Sequence, residues 1–219
     1  MIMFYEGKVG RVRRARAEDV EPIGWNLRQS DVAELHDGVG SAPLPALQRS
    51  YRASSSAWTI AIGDEPVAMF GVAPDPDLYG FGHVWYLATA RWDREGRRDM
   101  LTASKGFIDD MLVNFDLIGN FVDRRNAMSI KWLKHLGFTE GNDWIGTASG
   151  LPFVFMFKAP PMCSAGGVGA LSAVQSVFSQ RGAAESFVLG KNLRRGRSKS
   201  CGCRRDGSPE ARKGVATHG

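Results

Sequence analysis

The run LIGNFVDRRNAMSIKWLKHLGF, from Leu117 to Phe138, changes its period halfway along. Leu117–Val122 is a short apolar stretch of strand length. Asp123-Arg124-Arg125 then turns the chain. Beyond it Ile130, Leu133 and Leu136 recur at the three-to-four spacing of an amphipathic helix. Asn126 suits the cap of that helix, because its side-chain oxygen can accept from a backbone N–H of the first turn. Gly137 falls where a left-handed residue ends one. Strand, turn, capped helix and a following strand predict a domain that mixes α and β elements.

Working outward, Phe138–Ile145 and Leu151–Lys158 read as a closing antiparallel pair, with Phe153, Phe155 and Phe157 on one face. Upstream, Asp99–Phe115 is the clearest helix, its stripe formed by Leu101, Ser104, Ile108, Met111, Leu112 and Phe115. Three strands precede it. Trp58, Ile60 and Ile62 alternate, Gly63-Asp64-Glu65-Pro66 turns the chain, and Val67–Ala73 returns. His83–Thr89 is the third. Before them come a short strand in Lys8–Arg16, a helix from Ala17 carrying Val20, Ile23, Leu27, Val32 and Leu35, and a shorter helix from Pro43 or Pro45 through Tyr51. The order is β-α-α-β-β-β-α-β-α-β-β, an α/β fold on a mixed sheet. The large aromatics of the strands are assigned to the core. Trp92 and Trp144, near loops, are the exposed candidates for partner contact.

Composition divides the 219 residues. Residues 1–158 carry 18 basic and 20 acidic side chains, whereas residues 159–219 carry 10 and 3, a net +7. The whole-chain excess of +5 therefore belongs to the last part and does not steer the body toward nucleic acid. The expected organisation is a domain over 1–160, a Gly/Ala/Ser-rich marginal helix over 161–190 and a basic disordered tail over 191–219. Arg194, Arg195, Arg197 and Lys199 offer nonspecific phosphate contact only, since no aromatic stands among them to stack on bases. All three cysteines lie in this part, so the body needs no disulfide. Cys201-Gly-Cys203 with a distant His218 falls short of a metal site. No apolar run reaches the ~20 residues of a membrane span, and the N-terminus lacks the basic-then-apolar order of a secretion signal.

The element order, Arg13/Arg14-Ala15-x-x-x-Asp19 at its start and Asn126-Ala127 through Leu136-Gly137-Phe138 at its end, resembles the GCN5-related N-acetyltransferase (GNAT) fold over residues 9–158. Three runs resemble a phage family on that fold: Asn26-Leu27-Arg28-x-x-Asp31-x-x-Glu34-Leu35; Trp85-Tyr86-Leu87-Ala88-Thr89; and Asp123-Arg124-Arg125-Asn126 with Trp132-Leu133-x-x-Leu136-Gly137-Phe138. They are similar to the small internal virion and morphogenesis proteins of T7-like short-tailed bacteriophages. That resemblance implies a role in virion assembly beside other phage proteins, first in the host cytoplasm and then in the particle, with no cofactor. In phages of this group the next virion protein often begins with Met-Cys, so Met162-Cys163 is compatible with a junction to a downstream gene.

The GNAT resemblance also implies an alternative, an acetyltransferase using acetyl-CoA on an unknown amine. Such an enzyme needs backbone N–H groups before a helix to hold the pyrophosphate, two parted strands for the pantetheine, and an acid for the departing thiolate. The family's phosphate loop, Arg/Gln-x-x-Gly-x-Gly/Ala, falls on Asp93–Arg98. Only Gly96 fits. Asp93 is acidic, and Arg98 is bulky where a backbone must approach phosphate. Arg94, Arg97 and Arg98 could offset an anion's charge, and otherwise begin a solvated helix. The family's Tyr acid falls on Leu133, which has no proton to transfer. His83, at the start of a central strand, is the candidate base, since histidine as a residue type is suited to proton transfer near neutral pH. Asn126 is a candidate cofactor contact or simply a cap. Scaffold kept and chemistry eroded is the reading that results.

Overall fold

The computed structural model of the protein describes residues 5–144, 147 and 149–160. Among the described residues eight strands form one sheet in the order β1-β2-β3-β4-β5-β6-β8-β7. They are β1 (Tyr5–Glu6), β2 (Arg11–Arg14), β3 (Ser56–Ile62), β4 (Glu65–Pro74), β5 (Phe81–Ala88), β6 (Leu117–Asp123), β7 (Thr139–Trp144) and β8 (Phe153–Lys158). β5 and β6 are parallel, and every other neighbouring pair is antiparallel. A parallel pair requires a crossover. Here it is helical, made of α4 (Ala90–Glu95) and α5 (Arg97–Leu112). The expected mixed-sheet α/β fold is the observed one. The segments assigned to 161–190 and 191–219 lie outside the described residues.

Helices cover both faces. α5 and α6 (Ala127–His135) bury Phe107, Ile108, Met111, Leu112 and Ile130 against Val12, Trp58, Ile60, Phe70 and Val84. Trp58, Phe70 and Phe107 pack at 5.2–5.5 Å between ring centroids. On the other face α1 (Val20–Trp25) and α3 (Pro43–Ala53) bury Ile23 and Leu47 on Met69 and Leu87. Phe153 and Phe155, with Phe157 beside them, join Phe81, Leu117 and Phe121 in a third cluster, as their shared face predicts.

The single helix expected from Ala17 through Leu35 is instead three pieces: a 3-10 turn Ala17–Asp19, α1, and α2 (Gln29–Val39). The helical spacing of Val20, Ile23 and Leu27 runs straight through the break. Leu27 bridges Thr89, and Arg28 N donates to Ala88 O at 2.9 Å, so the chain between α1 and α2 is drawn onto the end of β5. The Arg13-to-Asp19 pattern acquires a physical meaning. Asp19 accepts from both terminal nitrogens of Arg13 at 2.7 Å, from Thr59 Oγ1 at 2.7 Å and from Arg16 N at 2.9 Å. Burial alone would push its carboxyl up, and these donors outweigh burial and hold it below the usual range.

Trp92 is a second correction. It is 3% exposed and belongs to the core, because the residue expected near a loop stands inside α4. Trp144 lies in β7, and its side chain is outside the description. Among the described side chains the exposed tryptophan is Trp25, 73% exposed at the end of α1 beside Pro22 and Tyr51. No helix among the described residues is long and apolar enough to cross a membrane.

Candidate functional site

β5 and β6 pair only at Phe81–Leu117, Gly82–Ile118 and His83–Gly119. Beyond that point β5 runs on to Ala88 against β4, and β6 to Asp123 against β8, without pairing to each other, so the two strands part. A cavity of about 190 Å³ passes through the opening. Val84, Phe107, Ile108, Met111, Ser129 and Leu133 wall it on one face of the sheet, and Glu34, Leu35, Arg49, Trp85 and Leu87 on the other.

Parted strands leave backbone groups without a ladder, and buried backbone polar groups need partners. Helix α2 supplies them. Asp31 accepts from Ala88 N at 2.9 Å on the β5 side, and Glu34 accepts from Asp123 N at 3.3 Å on the β6 side. Three residues apart on a helix, the two carboxylates lie on one face. Each serves one of the separated strands. Glu34 also accepts from Asn126 Nδ2 at 3.0 Å, while Asn126 Oδ1 accepts from Ser129 N at 3.1 Å and caps α6. Asp123 in turn accepts from Arg125 N at 2.8 Å and from its guanidinium, which also reaches Asp37.

Arg28 completes the cluster. Its Nε donates to Asp31 at 2.7 Å and its Nη1 to Asp93 on α4 at 2.6 Å, and its guanidinium lies 5.5 Å from the Tyr86 ring centroid. Burial would lower its pKa, but the carboxylates of Asp31 and Asp93 raise it, so Arg28 is held charged. Burial pushes the Tyr86 hydroxyl well above its ordinary value. Glu34 is pushed up to about 7 by burial, with Asp31 and Asp123 adding to the effect against its hydrogen bonds. Tyr86 and Trp132 face each other at 5.7 Å, and the buried indole N–H of Trp132 has no partner among the described residues.

The three runs that carry the phage resemblance thus meet at one place. Arg28, Asp31 and Glu34 come from the first, Tyr86 and Ala88 from the second, and Asp123, Asn126, Trp132 and Leu133 from the third. Periodicity could not show this, because the strands' parting is a tertiary fact. Arg28-x-x-Asp31-x-x-Glu34 was the available signal: three charged residues at helical spacing beside apolar Leu35.

The other expected residues are distributed as follows. His83 stands at the last position of β5 that pairs with β6 and lines the cavity, with Nε2 2.7 Å from Asp75 Oδ2. Asp75 also accepts from Asp77 N and Leu78 N. Burial pushes the Asp75 carboxyl up, but His83 and those N–H groups outweigh it and bring it to about 2. Arg94 is exposed on α4. The side chains of Arg97 and Arg98 are outside the description. Gly96 is buried between α4 and α5, where an added Cβ would lie 1.7 Å from Trp92 Cζ3. Among the described residues no group of three or more His, Cys, Asp or Glu could hold a metal ion.

No family profile and no curated protein matches the chain. Solved structures do. The ribosomal-protein-S5-alanine acetyltransferase of Vibrio fischeri superposes with a TM-score of 0.56 at 16% identity, covering 73% of this chain and 98% of that one. The GNAT domain of S. lividans PAT gives 0.53 at 14% identity over 73% and 95%. AAC(6′)-Ib, solved with paromomycin and acetyl-CoA, gives 0.51 at 15% identity over 72% and 99%. At such identities the likeness is one of fold, and the chain has the GNAT acetyltransferase fold.

Tested against acetyl-CoA, the residues fit one half of the cofactor. The parted strands and their cavity supply a slot for the pantetheine arm. The phosphate position does not fit. The space a glycine keeps clear for phosphate is filled by the indole of Trp92, the segment is helical, and Asp93 directs a carboxylate to Arg28.

Proposed function

We propose that the chain is a virion-assembly protein of a short-tailed bacteriophage, built on an acetyltransferase scaffold and acting without acyl transfer. The observation that carries this reading is the phosphate position, filled by Trp92 and carrying Asp93 paired to Arg28. Leu133 supports it, because a hydrocarbon side chain lines the cavity where the family places its acid. The convergence of the three resembling runs on the polar cluster supports it further. Those residues brace α2, α4, β5, β6 and α6 against one another, which is what a protein used as a shaped surface requires. Its partners are other virion and assembly proteins, met in the host cytoplasm and retained in the particle.

The test is the composition of particles. The protein co-purifies with virions or assembly intermediates, and deleting its gene leaves defective particles. Normal particles made without it, together with its absence from both fractions, would refute the reading.

A second reading, an active N-acetyltransferase, is favoured by the parting of β5 and β6 and by the cavity that follows it. It requires acetyl-CoA to be consumed. Turnover of acetyl-CoA with a panel of amines, followed by thiol release, decides it, and no release above the uncatalysed rate removes it.

A further inference from the structure

We propose that Asp93 is a built-in stand-in for a cofactor's phosphate, so that the slot between β5 and β6 accepts the neutral thioester arm of a carrier and refuses the nucleotide. The inference rests on the fold and its site, not on the virion role.

Arg28 is the first feature that disfavours a phosphate here. It is 17% exposed and donates to two carboxylates at 2.6 and 2.7 Å. A guanidinium gains most from an anion when it binds it in a fork and has no other partner. Here both partners are supplied by the chain, on α2 and α4. An incoming phosphate would have to displace Asp93, not merely join it.

Helix α4 is the second. Trp92, buried under Gly96, fixes the helix against α5 and holds Asp93, one residue on, toward Arg28. Asp93 is the first position of the family's loop, where enzymes place a donor to phosphate. The carboxylate therefore meets its cation where the family's phosphate would be recognised.

The slot is the third. Asp31 and Asp93 together outnumber the single positive charge of Arg28 beside it, which disfavours a polyanion, while Val84, Phe107, Ile108, Met111 and Leu133 give apolar walls and Asn120 and Ser129 give amide and hydroxyl contacts. Its volume of about 190 Å³ suits a short acyl-thioester end. It is below the roughly 300–1,000 Å³ of sites that enclose a drug-sized molecule.

Calorimetry on the full chain at low salt tests this with three probes: S-acetylpantetheine, acetyl-CoA and adenosine 3′,5′-bisphosphate. S-acetylpantetheine and acetyl-CoA are expected to bind wild type within about fivefold of each other, and the bisphosphate not at all at millimolar concentration. Asp93→Asn keeps the side chain's shape and removes its charge. It is expected to tighten acetyl-CoA by about tenfold or more, to leave S-acetylpantetheine unchanged, and to lose the gain as salt rises. Adding Arg28→Gln is expected to abolish the gain. The proposal is overturned if wild type prefers acetyl-CoA by more than about fivefold, if S-acetylpantetheine gives no heat at millimolar concentration, or if a folded Asp93→Asn protein gains nothing. Should Asp93→Asn lose its fold by circular dichroism, the wild-type ratio decides. None of these results bears on particle association, so this inference and the assembly reading fail separately.

Discussion

Glu34 sits at the mouth of the parted strands with two donors on its oxygens, yet burial among Asp31 and Asp123 brings it to about 7 from an ordinary 4.5. A carboxyl whose folded pKa is raised favours the folded state in its protonated form. Between about pH 4.5 and 7 the folded protein binds a proton that the unfolded chain releases, so Glu34 subtracts stability as pH rises through that window. The loss is on the order of 3 kcal/mol across it. Glu34→Gln should flatten this part of the curve, which urea unfolding at pH 5 and pH 8 measures. The variant is expected to match wild type at pH 5 and to exceed it at pH 8. The sequence placed Glu34 on a helix beside Arg28 and Asp31. That these carboxylates face two separated strands could not be seen, because helical spacing identifies a face and not its neighbour.

At the scale of elements, the joint between α4 and α5 depends on one missing side chain. An added Cβ on Gly96 would lie 1.7, 1.9 and 2.3 Å from three atoms of the Trp92 ring, which is itself buried and cannot swing into solvent. Gly96→Ala therefore pushes α4 off the sheet and is expected to cost about 3 kcal/mol, read from the midpoint of urea unfolding. In a Trp92→Leu background the same change should cost far less, because the clash has been removed. Gly96 had been legible as the one residue that fitted a phosphate loop. The structure gives it an ordinary packing role, explained by the buried Trp92, which the sequence alone suggests is a surface residue. The reason is local: ARWDREGRR has four arginines and two acids around one Trp, so its periodicity is weak, and the burial of Trp92 comes from the sheet beneath. The break between α1 and α2 was missed for a similar reason, since Leu27 keeps helical spacing while bonding to the end of β5.

Across the whole molecule, the strands and the long helices were legible because their apolar residues recur at period two or near 3.6, and because Gly63 and Gly137 take positive φ where a hairpin turn and a helix end need it. Phe153, Phe155 and Phe157 fell on one face as expected. The polar interior was less legible, and it governs the response to acid. Asp75, brought to about 2 by His83 and two N–H groups, contributes stability that is present above its ordinary value near 3.8 and is lost as pH falls toward 2. The contribution is on the order of 2 kcal/mol. His83→Leu should remove most of it, so that unfolding free energy changes less between pH 5 and pH 2.5 than in wild type.

The three residue pairs joining β5 to β6 have a mechanical consequence. The eight strands behave as two leaves, β1 to β5 and β6 with β8 and β7, stitched along one short seam and propped apart at the other end by α2. Motion between the leaves has the seam as its hinge pin and the Asp31 and Glu34 contacts as its doorstop. Amide hydrogens of Gly82 and Ile118, at the seam, should then exchange with solvent far more slowly than those of Ala88 and Asp123 at the prop, although all four belong to the middle of the sheet.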